Sequence, residues 1–162
     1  MGVLPVPADA TPWPTNTNAL LSRTAFVELA YPKKAWAAEE REMAMRGFVA
    51  AVQEGWDNPN GSQQAIRIVR FAHEDGTTSA WDEVMSGWER QYRGSLLTDS
   101  VIGAVGWSSP TLDSAGYAVA EWAVAVGDWL IFADEYTAAP RDPAPAAKML
   151  LRKQYDRLTA VS

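Results

Sequence analysis

The chain has 162 residues, a formal net charge of −6 and no cysteine. This length fits a single domain that can bury a core unaided, and the lack of cysteine excludes disulfides, thiolate catalysis and thiolate zinc or iron–sulfur sites. The acidic balance argues against nucleic-acid binding, which depends on clustered Lys and Arg.

Residues 1–18 are predicted to form an extended arm. Four prolines in this segment forbid a regular helix and favour extended backbone before each of them: Pro5, Pro7, Pro12 and Pro14. The segment has no basic start followed by a long apolar core, so a secretory signal is not predicted, and the expected location is the cytoplasm or an assembled particle. An arm of this composition is ordered only where its own domain or a neighbour holds it.

Two helices are predicted after the arm. The first covers residues 19–31, with Asn18 as its N-cap and Pro32 beyond its end. The second covers about residues 34–55, because this segment is rich in Ala, Glu, Met and Arg and the turn sequence GWDNPNG closes it. Acids near its start suit the positive end of the helix dipole: Glu39, Glu40 and Glu42.

The middle of the chain is also read as helical. Residues 62–72 alternate as a strand would, but they are short enough for a helix, which we favour. Five apolar and aromatic residues then fall on one helical face: Trp81, Val84, Met85, Trp88 and Tyr92. The same spacing predicts a helix over three later residues: Leu97, Val101 and Val105.

Residues 143–160 predict a C-terminal amphipathic helix after a Pro-rich break. Its stripe contains Leu151, Tyr155 and Leu158, and Arg152 is among the cations favoured toward a helix end. We expect Leu151, Arg152 and Tyr155, together with Trp13 of the arm, to contact protein partners.

Residues 117–136 are the most apolar stretch, yet they carry four carboxylates: Glu121, Asp128, Asp134 and Glu135. A membrane span is excluded, because an acid near its centre costs about 2.5 to 3.5 kcal/mol. A β-hairpin is one reading, with its turn at Gly127 and Asp128. That register places Glu121 opposite Asp134, and facing carboxylates destabilise a ladder.

A helix is the other reading of this stretch, and we favour it. It would begin at Asp113 or Ser114, and it would place Glu121, Asp128 and Glu135 seven residues apart on one face. Five alanines between positions 115 and 125 also favour a helix over a strand.

Together these elements predict a mainly α fold: a single-domain irregular helical bundle over residues 19–162 with the extended arm over residues 1–18. The alternative is an α+β fold with a β-hairpin at residues 117–136. Eight tryptophans indicate a well-anchored core or interface.

The candidate catalytic residues are few. His73 is the single histidine, so neither a conventional zinc or di-iron site nor a Ser-His-Asp triad is predicted. On a helix, Glu121 and Asp128 would lie about 10 Å apart, near the wider carboxylate separation of inverting glycosidases. We favour a solvated acidic edge, and we predict neither a cofactor nor a metal.

Three functions fit the sequence. The first is a non-catalytic structural or accessory subunit of a larger assembly, such as a virion or a secretion machine, and it implies a homo- or hetero-oligomer without nucleic acid or a membrane span. The second is a small acidic inhibitory or immunity-type protein with a coherent negative patch. The third is an enzyme or ligand-binding protein with a Trp-lined pocket containing a carboxylate of raised pKa.

Overall fold

The computed structural model describes residues 2–14, 20–92, 96–109, 115–138 and 141–160. The strands are β1 Thr11–Pro12, β2 Phe48–Asp57, β3 Gln63–Phe71, β4 Leu97–Asp99, β5 Ala104–Ser109, β6 Tyr117–Val126 and β7 Trp129–Ala138. The helices are α1 Arg23–Ala30, α2 Trp36–Met45, α3 Glu74–Tyr92 and α4 Ala144–Thr159, and a 3₁₀ turn spans Lys33–Ala35.

In the described ranges the strands form one antiparallel sheet in the order β1-β2-β3-β7-β6-β5-β4. Helices α1, α2 and α3 cover one face, which we call the helical face, where Val69, Leu130 and Phe132 are buried. Helix α4 and the N-terminal arm cover the opposite face, which we call the arm face, where Ile68 and Ile131 are buried. Two apolar layers therefore enclose the sheet.

The predicted mainly α helical bundle is wrong, because the molecule is an α+β fold built on this sheet. Strands covered on both faces lose the polar and apolar alternation that marks a half-exposed strand. In β6 and β7 successive side chains enter the two cores in turn, so the sequence becomes a continuous apolar run. That pattern cannot be told from a buried helix by periodicity alone.

The stretch 117–136 is a hairpin rather than the helix that we favoured. Val126 pairs with Trp129 and Glu121 pairs with Asp134, which is the register weighed for the hairpin. Gly127 has φ +55° in the turn, a conformation that glycine adopts at little cost. The proposed helix caps Asp113 and Ser114 lie outside the described residues.

Three other predicted helices also need correction. The helix over residues 34–55 ends at Met45, where Gly47 has φ +73° and reverses the chain into β2. Residues 62–72 contain β3, so their alternation was the correct indicator. The helix predicted from residues 97–105 is replaced by β4 and β5, which are joined through Gly103 at φ +71°.

The remaining helices lie close to their sequence patterns. Helix α1 begins at Arg23 rather than residue 19, and the hydroxyl of Ser22 accepts a hydrogen bond from the backbone N–H of Ala25 at its start. Asn18, the predicted cap, lies outside the described residues. The five-residue apolar stripe from Trp81 lies within α3.

The described part of the arm docks on its own chain. The Gln154 side chain of α4 accepts a hydrogen bond from the Leu4 N–H at 2.7 Å and donates one to the Gly2 carbonyl at 3.1 Å. At the other end, the Trp13 N–H donates to the Gly55 carbonyl at 2.9 Å. The arm therefore passes from the arm face around the sheet edge beside β2.

Candidate functional site

A cavity of about 430 Å³ lies between the helical face of the sheet and helices α1, α2 and α3. Its walls are mostly apolar and come from the helices and the sheet: Phe26, Met43, Val69, Phe71, Val84, Trp88, Leu130 and Phe132. Two charged residues of the sheet, Arg67 and Glu121, also line it. This volume and lining are typical of small-molecule sites.

Arg67 on β3 stands between two carboxylates at the floor of this cavity. Its Nη2 lies 3.2 Å from Glu121 Oε1 and 3.8 Å from Asp134 Oδ2. Glu121 and Asp134 are direct cross-strand partners on β6 and β7, so their side chains share the helical face. The guanidinium therefore offsets the repulsion that counted against the hairpin.

Two further contacts orient the floor residues. Trp107 on β5 donates its indole N–H to Glu121 Oε2 at 3.3 Å, and the Arg67 guanidinium carbon lies 4.8 Å from the centre of the Phe132 ring. Within the described chain, the buried Arg67 Nε has no hydrogen-bond partner. These contacts fix the positions of Glu121 and Arg67, while the Arg67 Nε–H is left to donate to a further group.

Burial, followed by the nearby Glu121 carboxylate, raises the pKa of Asp134 to about 7 against the lowering effect of Arg67. Burial also raises the pKa of Glu121, opposed by Arg67 and the Trp107 hydrogen bond. For Arg67, burial lowers the pKa, but Asp134 and Glu121 outweigh it and raise the value. Because the two carboxyls interact, Glu121 and Asp134 titrate as a coupled pair rather than as independent groups.

The cavity mouth is bridged by Arg46, which follows α2. Its Nη1 lies 2.6 Å from Glu83 Oε2 on α3, and its Nη2 lies 3.5 Å from Glu42 Oε2. Tyr31 also lines the cavity, and burial followed by the charges of Glu39 and Glu83 raises its pKa to about 12. Its hydroxyl thus stays protonated at neutral pH.

The structure separates the candidate catalytic residues. Glu121 lies at the cavity floor, whereas Asp128 lies in the β6–β7 turn and binds Arg70 Nε through Oδ2 at 2.8 Å. An extended strand places them about 20 Å apart, so the 10 Å helical spacing is wrong. His73 is exposed beyond the end of β3 and does not line this cavity.

The four residues predicted to contact partners make contacts within the chain. The indole N–H of Trp13 donates to Asp57 Oδ1 at 3.3 Å, and Leu151 is fully buried under the arm face. Tyr155 packs on the same core. Arg152 holds Asp99 through two hydrogen bonds of 2.5 and 2.6 Å. Their role toward a partner stays a prediction.

Sequence reasoning did not identify Arg67, Asp134, Tyr31 or Arg46 as site residues. For Arg67 an indicator was present, because strand alternation places it on the same face as Val69. A charged residue in a row of buried positions needs a partner or a function. Tyr31 and Arg46 reach the cavity only through tertiary packing, which no local pattern encodes.

Within the described ranges no three His, Cys, Asp or Glu side chains group as metal ligands would. None of the described helices is both long and apolar enough to cross a membrane.

No protein-family model and no curated protein matches the chain. A solved structure that resembles it is the crystal structure of the extracellular domain of PknH from Mycobacterium tuberculosis, with a TM-score of 0.56 and 8% sequence identity. The similarity covers 94% of this chain and 86% of that chain. At this identity, the likeness shows a shared fold.

Proposed function

We propose that the protein binds a small, largely apolar molecule in the cavity between the sheet and helices α1 to α3. The observation that carries this proposal is an apolar-walled cavity that ends at the buried Arg67–Glu121 pair. Binding sites commonly combine such walls with a few convergent polar groups that fix orientation. The protein would act through binding rather than catalysis.

The cavity composition supports a binding role over a covalent one. The described residues that line it include no serine, cysteine, histidine or lysine, and the Glu121 carboxylate is held by Arg67 and by the Trp107 indole. Besides Arg46 and Glu83, which pair with each other, the polar side chains among the described lining residues are Tyr31, Gln91, Arg67 and Glu121. Since Arg67 is already shared between two acids, a neutral or donor-bearing head group fits better than an anionic one.

The accessory-subunit hypothesis loses its main motivation, because the arm that suggested it contacts its own chain. It stays a prediction for other surfaces. The acidic-inhibitor hypothesis required unpaired acids in one patch. Glu40 instead pairs with Arg23 at 2.6 Å, and Glu42 pairs with Arg46 at 3.5 Å. These pairings count against a coherent negative surface.

The binding proposal is tested with the neutral fluorescent probe N-phenyl-1-naphthylamine. Gly87 lines the cavity, and a Cβ there would meet no heavy atom within 4 Å beyond its own helix backbone and chain neighbours. Gly87→Phe is therefore expected to fill the cavity and weaken probe binding by about tenfold or more, measured by fluorescence titration.

Gly87→Ala is the matched control, because it adds only a methyl group and favours the helix by about 0.5–1 kcal/mol. It is expected to bind the probe nearly as the unmodified chain does. Thermal unfolding of both variants checks that they are folded. Equal probe affinity in Gly87→Phe and Gly87→Ala, or no saturable binding to the unmodified chain, would contradict the proposed function.

A further inference from the structure

The N-terminal arm forms a strap that is held at both ends. Gln154 binds Gly2 and Leu4 at one end, while strand β1 and Trp13 join β2 at the other. A Cβ at Gly55 would lie only 2.3 Å from the Trp13 ring, so the ring packs directly against the backbone of β2 at this glycine. The arm between these anchors roofs a second cavity.

This second cavity, which we call the strap cavity, has a volume of about 600 Å³. Its lining joins the arm to β2: Val3, Leu4, Pro5, Val6, Pro12, Trp13 and Glu54. Glu54 is the only charged side chain among the described residues that line it. The strap cavity is therefore an apolar space with one acid.

Glu54 occupies a position where the fold places core residues. It shares the arm face of β2 with Val52 and Trp56, both buried in the core, and it is only 3% exposed. Within the described chain its Oε1 has no hydrogen-bond partner and no cation pairs with it. Burial raises its pKa.

An unpartnered acid at such a position lowers stability, because a buried carboxyl needs hydrogen bonds or an opposite charge to replace its hydration. A buried acid without such partners is a candidate for ligand recognition. The lining defines what would complete it. A ligand that suits Glu54 carries a positively charged hydrogen-bond donor. Its remaining part is apolar, so that it packs against Val3, Leu4 and Val6.

We infer that the strap cavity is a second binding site, which takes a small apolar primary amine with its ammonium group on Glu54. The ammonium supplies both the opposite charge and the donors that the acid lacks. An alcohol supplies only a donor, and a carboxylate repels the acid. This site lies at the sheet edge and is separate from the cavity between the sheet and α1 to α3.

The test uses hexylamine, hexan-1-ol and hexanoate as probes in NMR titrations of the ¹⁵N-labelled full chain. The amide resonances of Leu4 and Trp13 report on the two ends of the strap. We expect hexylamine to shift both and to bind about tenfold more tightly than hexan-1-ol, with hexanoate weakest. Glu54→Gln is expected to reduce hexylamine affinity to that of the alcohol.

Two control variants separate this site from other effects. Glu28→Gln removes the same charge from an exposed position on α1 and should leave the amine affinity unchanged. Gly87→Phe fills the other cavity and should also leave the Leu4 and Trp13 shifts in place. The hexylamine titration does not use N-phenyl-1-naphthylamine, the probe for the first cavity. The proposed function and the strap-cavity inference are therefore tested independently.

The inference is overturned if hexan-1-ol binds as tightly as hexylamine, or if Glu54→Gln keeps the full amine affinity. Val6→Phe narrows the strap cavity without touching the acid, and it keeps the test decisive if Glu54→Gln does not fold. Val6→Phe should lower the affinity for hexylamine by about tenfold. Unchanged amine binding in Val6→Phe would equally remove the strap cavity as the site.

Discussion

Arg67 lies between two carboxylates that would otherwise repel each other across the β6–β7 hairpin. Glu121 and Asp134 face each other in register, and the guanidinium on the neighbouring strand binds the first at 3.2 Å and lies 3.8 Å from the second. The sequence therefore showed two of the three residues of this cluster, namely the facing acids Glu121 and Asp134. Its third member came from a strand more than fifty residues earlier.

Arg67→Met should expose this dependence. Removing the cation leaves two buried acids opposite each other in the hairpin, and breaking such a buried ion pair costs about 3–5 kcal/mol. We expect a loss of that order in the free energy of unfolding, measured by urea denaturation at pH 8. Arg70→Met, which removes the exposed partner of Asp128, is the control and should cost about 1 kcal/mol or less. Equal losses in the two variants would contradict the assigned role of Arg67.

Asp134 predicts how stability depends on pH. Its folded pKa of about 7 lies above the ordinary value of 3.8, so the folded chain binds more protons than the unfolded chain between these values. Its contribution therefore lowers the free energy of unfolding as pH rises from about 4 to 7. Glu121 acts in the same direction, because burial raises its pKa too.

Asp134→Asn should remove most of this slope and be more stable than the unmodified chain at pH 8, because one buried charge is gone. Chemical denaturation at several pH values between 4 and 8 measures the effect. The charged neighbours that act on Asp134 are Glu121 and Arg67, and Tyr136 and Tyr31 act in turn on Arg67. A slope that persists unchanged in the variant would show that other groups set it.

At the scale of elements, Gln154 links the arm to α4. It is fully buried, and its amide serves as both acceptor and donor to the arm backbone. Gln154→Ala leaves those backbone groups unpaired, at a cost of about 1–3 kcal/mol. We expect faster protease cleavage within the first 14 residues while the sheet remains intact by circular dichroism. Cleavage at the unmodified rate would mean that Gln154 does not hold the arm.

The elements also show what the sequence could and could not predict. The stripe from Trp81 to Tyr92 is amphipathic, so its period revealed α3. The hairpin at residues 117–136 is covered on both faces, so its period was lost, although its register could be written down from the turn. The arm's prolines predicted extended backbone, but only the fold showed that it closes over Glu54.

The same distinction applies to the candidate site. Glu121 could be named from the sequence because it is an acid in an apolar run. Its partners Arg67 and Trp107 could not be named, because they lie on β3 and β5 and meet Glu121 only in the folded chain. The sequence pattern thus indicated Glu121 as a buried acid, whereas the order of strands in the sheet determines which residues surround it.

At the scale of the whole molecule, the sheet separates two layers with different contents. The helical face carries the cavity with the shared guanidinium, and the arm face carries α4 and the strap. In both layers a cavity with mostly apolar walls adjoins a buried acid, Glu121 on the helical face and Glu54 on the arm face, and a ligand that pairs with such an acid would stabilise the fold. The ligand binding that we propose would account for this arrangement.

The most direct measurement is a crystal structure of the protein grown with N-phenyl-1-naphthylamine. The account predicts the probe between α3 and the sheet, with its rings against Phe132 and Leu130 and its amine toward the Arg67–Glu121 floor. A probe bound only at the outer surface, or a cavity closed by repacking of α3 onto the sheet, would contradict the proposed function.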